Sequence, residues 1–323
     1  MMSDLLSVND LRTRYFTGSG TVKAVDRCSI KLQRGQTLGI AGESGCGKST
    51  LAMSILRLIQ PPHKIIGGSV IYKGIDILQL TEKEFRKIRW EEISLVLQQS
   101  MNALNPMLRI SDQMIEPLMI KRITSKESAE GKARKLLELV GIKPDRINNY
   151  PHEFSGGMKQ RALIALSLIA DPEILILDEP TTALDVVVQH MILKLINDLK
   201  NEMGLSVIWI THDLAVLAEV CDRIAIMYAG RIMETGTAEE LILNPQHPYT
   251  NGLLASFPTV DQVDKELVSI PGSPPNLINP PKGCPFHPRC NFATDLCKTE
   301  RPKGETLPDR VDGYIECHNW KEV

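Results

Sequence analysis

The sequence predicts an α/β fold, in which helices cover both faces of a mainly parallel sheet. Short apolar runs of strand length, among them residues 37–41, 174–177 and 205–210, alternate with stretches of helical periodicity. Strands that are apolar on both faces are typical of parallel sheets, because helices bury both sides. With 323 residues, the chain is long enough for one large domain and a smaller second one.

The segments outside these strands follow other patterns. Residues 5–40 mix β-branched stretches with turns, which indicates antiparallel strands leading into the first parallel strand. After residue 100, Asn105-Pro106 interrupts the chain, and apolar residues then recur at helical spacing up to Gly141. We expect this stretch to be a helical insertion carried by the sheet.

The composition excludes several classes of function. The 37 Lys and Arg nearly balance the 39 Asp and Glu, so no overall positive charge attracts nucleic acid or anionic lipid. The longest apolar run, residues 162–170, is too short to span a membrane. The acidic N-terminus does not have the layout of a signal peptide, and seven cysteines without one argue for a reducing compartment. We therefore expect a cytosolic protein that does not bind nucleic acid.

A glycine-rich stretch at residues 42–50 predicts a phosphate-binding loop. It fits the pattern G-x-x-x-x-G-K-[ST] at every fixed position and lies between a predicted strand and a predicted helix at 51–59. Glycines are needed because backbone N–H groups must turn inward around phosphate oxygens, which a Cβ would obstruct. Lys48 is expected to reach the β- and γ-phosphates, and the Ser49 hydroxyl to bind Mg²⁺. The loop residues expected to hold a nucleotide are Gly42, Ser44, Gly45, Cys46, Gly47, Lys48, Ser49 and Thr50.

Polar residues follow two further predicted strands and open one predicted helix. Asp178 and Glu179 end one apolar strand, and His212 follows the next strand along the chain. Parallel sheets bind ligands at the carboxyl ends of their strands, which makes these side chains candidates by position. Residues 155–157, Ser-Gly-Gly, precede a predicted helix and would form a second anion-binding edge at its start.

In their order along the chain, these motifs resemble those of the ATP-binding subunits of ABC transporters. Residues 42–50 are similar to the Walker A loop, and residues 174–178 to the Walker B strand. Residues 154–158 are similar to the signature loop that distinguishes these ATPases from other P-loop proteins. The resemblance covers nearly the whole chain. It implies a P-loop NTPase (RecA-like) parallel sheet core that binds ATP and Mg²⁺.

The resemblance also implies roles for individual residues. Glu179 would act as general base, and Asp178, Ser49 and Gln98 would supply oxygens for Mg²⁺. With Lys48, the catalytic set would include Gln98, which reports γ-phosphate occupancy, and His212, which contacts that phosphate and orients Glu179. The other implied nucleotide contacts are the adenine-stacking Tyr15, the signature residues Phe154, Ser155, Gly156 and Gly157, and Asp185 of the D-loop. The signature loop of one cassette would close over ATP bound to a second cassette in a head-to-tail dimer.

Further motifs are similar to those of the dipeptide/oligopeptide and nickel importer branch of this family. They are residues 150–158, Asn105-Pro106, residues 247–250 and 253–256, and residues 284–290. Gln99-Ser100 departs from the branch, in which Asp-Pro usually follows the Q-loop glutamine. The implied partners are a second ATPase subunit, expected to be a paralogue, two membrane permease subunits and an extracytoplasmic peptide-binding protein. The implied location is the cytoplasmic face of the cell membrane.

We expect two domains. Residues 1–240 would form the ABC ATPase domain, with the core and an antiparallel β subdomain at 1–99 and 159–240, and a helical signature subdomain at 100–158. Residues 241–323 would form a small irregular C-terminal domain with a cysteine-ligated metal site. Seven prolines between residues 271 and 288 disfavour sheet or a long helix there, so we expect something other than an apolar core to hold this segment.

Four C-terminal cysteines are candidate metal ligands. They are Cys284, Cys290, Cys297 and Cys317, separated by 5, 6 and 19 residues. Disulfides are disfavoured in a reducing compartment, and zinc prefers C-x₂₋₄-C pairs, which this spacing does not provide. A 4Fe–4S cluster takes four thiolates and tolerates irregular spacing, and it is what the resemblance implies. Zn²⁺ and unliganded thiols are the alternatives.

The function implied by the resemblance is ATP hydrolysis that powers import of dipeptides or oligopeptides. Nickel import is an alternative within the same branch. A soluble ABC ATPase of translation or repair would usually carry two cassettes or a long coiled coil, and this chain has neither. A P-loop kinase is disfavoured by the signature loop and by the pair Gln98 and His212.

Overall fold

The fold is known from a computed structural model that describes residues 4–97, 103–121, 124–182, 184–256 and 270–323. Predictions made for Gln98 and Gln99-Ser100 lie outside these residues. The chain divides into two compact units, of which the first contains residues 1–79 and 209–323 and the second contains residues 80–208. The strand β8, Ser206–Ile210, begins in the second unit and ends in the first.

The first unit contains most of the strands. Before residue 80 its elements are β1 (Leu6–Thr17), β2 (Gly20–Leu32), β3 (Thr37–Ala41), α1 (Lys48–Ile55), β4 (Lys64–Tyr72) and β5 (Ile75–Asp76). After β8 they are α7 (Leu214–Val220), β9 (Arg223–Tyr228), β10 (Arg231–Thr237), α8 (Ala238–Leu243), α9 (Pro248–Ala255), α10 (Asp295–Thr299), β11 (Glu305–Thr306) and β12 (Tyr314–Ile315).

Two sets of strand pairs organise this unit. In the first set, β1 pairs antiparallel with β2 and with β4, and β4 pairs with β5, which confirms the predicted antiparallel region before the loop. In the second set, β3 lies parallel to β9, and antiparallel pairs then lead from β9 to β10, β12 and β11. All five residues of β3 are buried, as expected for a strand covered on both faces.

Helix α1 differs from its predicted range. It begins at Lys48 and ends at Ile55, whereas the apolar pattern predicts residues 51–59. The start is earlier because the helical conformation follows directly on Gly47, the last glycine of the loop. The end is earlier because Arg57 has a left-handed φ of 52°, which a helix cannot continue through.

The second unit combines a parallel strand pair with helices. Its elements are α2 (Glu82–Phe85), β6 (Ile93–Val96), α3 (Ile110–Ile120), α4 (Lys126–Leu139), α5 (Gly156–Leu168), β7 (Ile174–Asp178) and α6 (Val186–Met203). Strand β6 runs parallel to β7, and the Ser206 N–H at the start of β8 donates to the Glu173 carbonyl oxygen at 2.9 Å. The parallel α/β architecture expected from the sequence is therefore confirmed. No helix within the described ranges is long and apolar enough to cross a membrane.

Buried guanidinium groups anchor the C-terminal segment to the rest of the first unit. Arg231 on β10 donates to both carboxylate oxygens of Glu316, at 2.8 and 2.7 Å, and Tyr314 donates to the same carboxylate at 2.7 Å. Arg310 pairs with the buried Glu234 at 2.8 Å. Paired charges therefore supply fixed contacts for a segment that has little regular structure.

We expect Arg231→Met to destabilise the protein strongly. The change leaves the buried Glu316 carboxylate without its bidentate partner, which costs about 3–5 kcal/mol. Urea unfolding followed by circular dichroism measures the loss. Lys298→Met is the matched control because its pair with Asp295 is exposed, and it should leave the unfolding midpoint unchanged. Equal midpoints for wild type and Arg231→Met would contradict the anchoring role.

Candidate ATP-binding site and cysteine cluster

The phosphate loop joins β3 to α1 through glycines that other residues cannot replace without strain. Gly42 and Gly47 have φ angles of 151° and 112°. A Cβ on Gly42 would lie 2.1 Å from the Met227 carbonyl oxygen, and one on Gly47 would lie 2.1 Å from that of Ala24. A Cβ on Gly45 would meet nothing within 4 Å. The loop is thus packed against backbone at Gly42 and Gly47 and is exposed at Gly45.

Lys48 turns its ammonium group back into this loop. The side chain is buried, and Nζ donates to the carbonyl oxygens of Gly42 at 2.6 Å and Glu43 at 3.1 Å. Gly47 precedes the helix and has no side chain with which to cap it, so backbone N–H groups of the first turn of α1 are available to an anion. A cation and helix N–H groups beside one cradle are the requirements for holding phosphate oxygens.

The remaining loop residues differ in exposure. Ser44 and Gly45 are exposed, and Ser49 and Thr50 are half-buried. Cys46 is buried with its Sγ 3.9 Å from Lys48 Nζ, and burial raises the pKa of its thiol. A protonated, enclosed thiol acts as a small apolar side chain, so Cys46 packs within the loop.

Tyr15, the predicted adenine-stacking residue, is half-buried near the end of β1. Its hydroxyl lies 3.2 Å from Thr50 Oγ1 at the start of α1. The His63 ring stands edge-on to it, with ring centroids 4.7 Å apart. Contact with Thr50 ties the aromatic ring to the end of the phosphate loop. Sequence reasoning did not include His63, and no motif marks it.

His212 follows β8 in the first unit. The neighbouring Thr211 N–H donates to the Ile40 carbonyl oxygen of β3 at 3.2 Å, which ties this turn to the strand that leads into the phosphate loop. Asp213 caps α7 by accepting from Ala215 N–H at 2.9 Å. Between these two anchored residues the His212 side chain is exposed.

In the second unit, β7 ends at Asp178 and Glu179 follows it directly, as predicted. Asp178 is buried, and Glu179 is half-buried with a left-handed φ of 52°. Such a conformation is uncommon outside glycine, and in a non-glycine residue it often marks a functional turn. The Thr182 hydroxyl donates to Glu179 Oε2 at 2.7 Å and so fixes the direction of the carboxylate.

The signature turn and the D-loop helix are in contact within this unit. Ser155 caps α5 and accepts from the Met158 N–H at 3.4 Å; Ser155 and Gly156 are exposed, whereas Phe154 is buried. A Cβ on Gly157 would lie 2.9 Å from Val188 Cγ1, so only glycine allows this approach. The exposed Asp185 caps α6 by accepting from the Val188 N–H at 2.9 Å.

All four C-terminal cysteines line one cavity in the first unit, with a volume of about 10 Å³. Cys284 and Cys297 are buried, and the Cys284 N–H donates to the Cys297 carbonyl oxygen at 2.8 Å. Burial raises the pKa of the Cys284 thiol to about 12 and that of Cys317 to about 11. The seven cysteines all lie in the described ranges, and none forms a disulfide. Over those same ranges, no group of three or more His, Cys, Asp or Glu side chains is arranged to hold a metal ion.

Two residues that sequence reasoning did not place in the site contact the loop at Glu43. The Tyr249 hydroxyl accepts from the Glu43 N–H at 2.9 Å, and Arg289 donates to both Glu43 carboxylate oxygens, at 2.6 and 3.0 Å. Both residues occur in the C-terminal motifs that we used only to identify the branch. No spacing rule connects positions more than 200 residues apart in the sequence.

Comparisons with known proteins agree with these features. Residues 25–182 match the ABC transporter family, and residues 233–297 match the oligopeptide/dipeptide transporter C-terminal region. The oligopeptide transport ATP-binding protein OppD of Escherichia coli is 46% identical over 95% of this chain and 91% of that protein. The dipeptide transport ATP-binding protein DppD of Bacillus subtilis is 47% identical over 98% of this chain and 95% of that protein.

A solved structure supports the predicted fold. The dimeric structure of MJ0796, a bacterial ABC transporter cassette, superposes with a TM-score of 0.64 and 29% identity over 72% of this chain and 98% of that chain. The predicted P-loop NTPase fold is confirmed by this likeness. Together, the loop geometry, the family matches and the relatives show that the chain belongs to the ATP-binding subunits of ABC transporters that carry the oligopeptide/dipeptide transporter C-terminal region.

Proposed function

We propose that this chain is the ATP-hydrolysing subunit of an importer of dipeptides or oligopeptides, bound peripherally at the cytoplasmic face of the cell membrane. The observation that carries the proposal is that one chain combines a phosphate cradle with a C-terminal region of the oligopeptide/dipeptide transporter type. The relatives named as oligopeptide and dipeptide transport ATP-binding proteins support the same cargo.

The loop and its neighbours would bind ATP. The N–H groups at the start of α1 and the Lys48 ammonium would hold the phosphate oxygens, and Tyr15 would stack on the adenine. Mg²⁺, when bound, neutralises charge on the phosphates. Ser49, Asp178 and Gln98 would hold it, because a hydroxyl, a carboxylate and an amide supply the oxygens that this ion prefers.

Glu179 would act as general base in hydrolysis. Its carboxylate takes a proton from the attacking water as the bond between the γ-phosphorus and the bridging oxygen breaks, which yields ADP and phosphate. The hydrogen bond from Thr182 supports this role, because it fixes the direction of the carboxylate. His212 would donate to the γ-phosphate.

The second cassette would complete the site. The signature residues Ser155 and Gly156 are exposed beside the start of α6, where Val186 and Val187 are 81% and 70% exposed. Adjacent exposed valines next to Asp185 are typical of a protein interface. We infer that this surface closes over ATP in a head-to-tail partner, which we expect to be a paralogue.

The second unit also offers a surface for the membrane subunits. Met107 and Ile120 are 80% and 72% exposed and belong to the stretch predicted as a helical signature subdomain, residues 100–158. Exposed apolar side chains in this stretch are candidates for a protein interface. We propose that they dock the two permease subunits, which in turn work with an extracytoplasmic peptide-binding protein.

We further propose that Cys284, Cys290, Cys297 and Cys317 hold a 4Fe–4S cluster. Their convergence on one cavity supports a shared group. In such a cluster each thiolate binds a different iron, so the thiols need not converge as tightly as the ligands of one Zn²⁺. The segment that carries these cysteines has only short helical turns. We also propose a domain boundary near residue 240, because residues 233–297 match the oligopeptide/dipeptide transporter C-terminal region.

Replacing the proposed base separates binding from turnover and tests the function. In proteoliposomes that contain the permeases and the partner cassette, wild-type protein should import peptide with ATP hydrolysis. Glu179→Gln should bind ATP normally while hydrolysis and import fall roughly 10²–10⁴-fold. Asp171→Asn, which changes an exposed carboxylate paired with Lys132, is the control and should retain both activities. Undiminished hydrolysis by Glu179→Gln would contradict its role, and wild-type ATP hydrolysis unaffected by any peptide would contradict the cargo.

The cysteine site has a spectroscopic test. Protein purified without oxygen should be brown, with a visible absorption band that dithionite bleaches, and contain about four irons per chain. Cys290→Ser should remove most of the colour, whereas Cys28→Ser, a buried cysteine elsewhere in the unit, should not. A colourless protein with one zinc per chain would instead support the zinc alternative.

A further inference from the structure

Arg289 joins the cysteine-containing segment to the phosphate loop. It lies in the short helical turn His287–Arg289, directly before Cys290. Its guanidinium donates to Glu43 Oε2 at 2.6 Å and to Oε1 at 3.0 Å, so the pair is bidentate. Glu43 follows Gly42 in the loop. The contact therefore connects a residue of the C-terminal region to one whose backbone lies beside the phosphate cradle.

The guanidinium is itself held from several sides. Nε donates to the Pro271 carbonyl oxygen at 2.8 Å, and one terminal nitrogen also lies 3.3 Å from the Tyr228 hydroxyl. The Arg289 side chain is buried, and its hydrogen bonds to Glu43 raise the pKa of the guanidinium above the ordinary value. A buried arginine that uses its donors on fixed acceptors has little freedom to release one of them.

An aromatic cluster supports the same contact. The rings of Tyr228, Tyr249 and Phe286 pack on one another with centroid distances between 4.5 and 5.4 Å, and all three are buried. The Arg289 guanidinium lies 5.9 Å from the Tyr228 ring centroid. Tyr249 reaches from the cluster to accept the Glu43 N–H at 2.9 Å. Glu43 is thus held at its backbone by Tyr249 and at its carboxylate by Arg289.

The negative charge of Glu43 makes these contacts important for nucleotide binding. The loop must bind a polyanion, and a carboxylate within it repels phosphate unless a cation neutralises it. Lys48 donates to the Glu43 carbonyl oxygen at 3.1 Å, so a displaced Glu43 would also disturb the lysine that binds phosphate. A cation paired with Glu43 neutralises the carboxylate and holds the residue in place.

We propose that Arg289 is a positioning residue for ATP binding: it neutralises Glu43, holds that carboxylate away from the phosphates, and makes nucleotide affinity depend on the C-terminal region. The inference rests on ATP binding alone and requires neither the peptide cargo nor the iron–sulfur cluster.

Binding of a fluorescent ATP analogue to the purified full-length chain tests this role. Arg289→Met should raise the dissociation constant about tenfold, because it frees an uncompensated carboxylate in the loop. Glu43→Gln should bind within about threefold of wild type, because it removes the repelling charge together with the contact. The decisive variant is Glu43→Gln combined with Arg289→Met, which should regain most of the lost affinity.

Controls separate this electrostatic role from simple support of the fold. Arg301→Met breaks another ion pair of the C-terminal region, with Asp26 rather than a loop residue, and should leave affinity unchanged. Arg289→Lys keeps the charge and should bind ATP more tightly than Arg289→Met. If the methionine protein does not fold, Arg289→Gln, which also removes the charge, replaces it alone and with Glu43→Gln. Wild-type affinity in the variant without the charge, or a double variant as weak as that single variant, would overturn the proposal.

Discussion

The ATP site depends on the close approach of two backbone carbonyl groups to the phosphate loop. The carbonyl oxygens of Met227 and Ala24 occupy the positions that side chains of Gly42 and Gly47 would need. This packing fixes the loop at two glycines, whereas Gly45 between them is exposed. The shape of the cradle is therefore imposed by strands β2 and β9, and glycine is the residue that lets them impose it.

The C-terminal region also helps to hold the phosphate loop. It has few strands and helices of its own, yet its arginines reach carboxylates of the first unit. Arg310 pairs with the buried Glu234, and Arg289 pairs with the half-buried Glu43. Buried ion pairs contribute modestly to net stability but fix geometry, since a displaced partner leaves a bare charge. If a segment held in this way shifts, the loop that it contacts should shift with it.

Local patterns in the sequence predicted local structure well. The apolar runs that became β3 and β7, the loop between β3 and α1 and the carboxylates at the end of β7 were all visible, because each depends on neighbouring residues. The end of α1 could not be predicted, because an apolar pattern does not show that Arg57 adopts a left-handed conformation. The sequence also led us to expect that a metal site would hold the proline-rich region, whereas the structure adds buried ion pairs as anchors.

The long-range contacts at Glu43 could not have been predicted from one sequence. Tyr249 and Arg289 stand in recognisable motifs, but pairing them with Glu43 needs the three-dimensional fold. The roles proposed for Gln98, Glu179 and His212 likewise come from resemblance. The geometry supplies only the anchoring of two of them: Thr182 for Glu179 and Thr211 for the turn at His212.

The most direct test of the central claim is ATP binding by Gly47→Ala. A methyl group there would collide with the Ala24 carbonyl oxygen, so ATP affinity should fall at least about 100-fold. Gly18→Ala, at a turn with open space around it, should bind like wild type. If Gly47→Ala bound ATP with wild-type affinity, the cradle would not depend on this backbone contact.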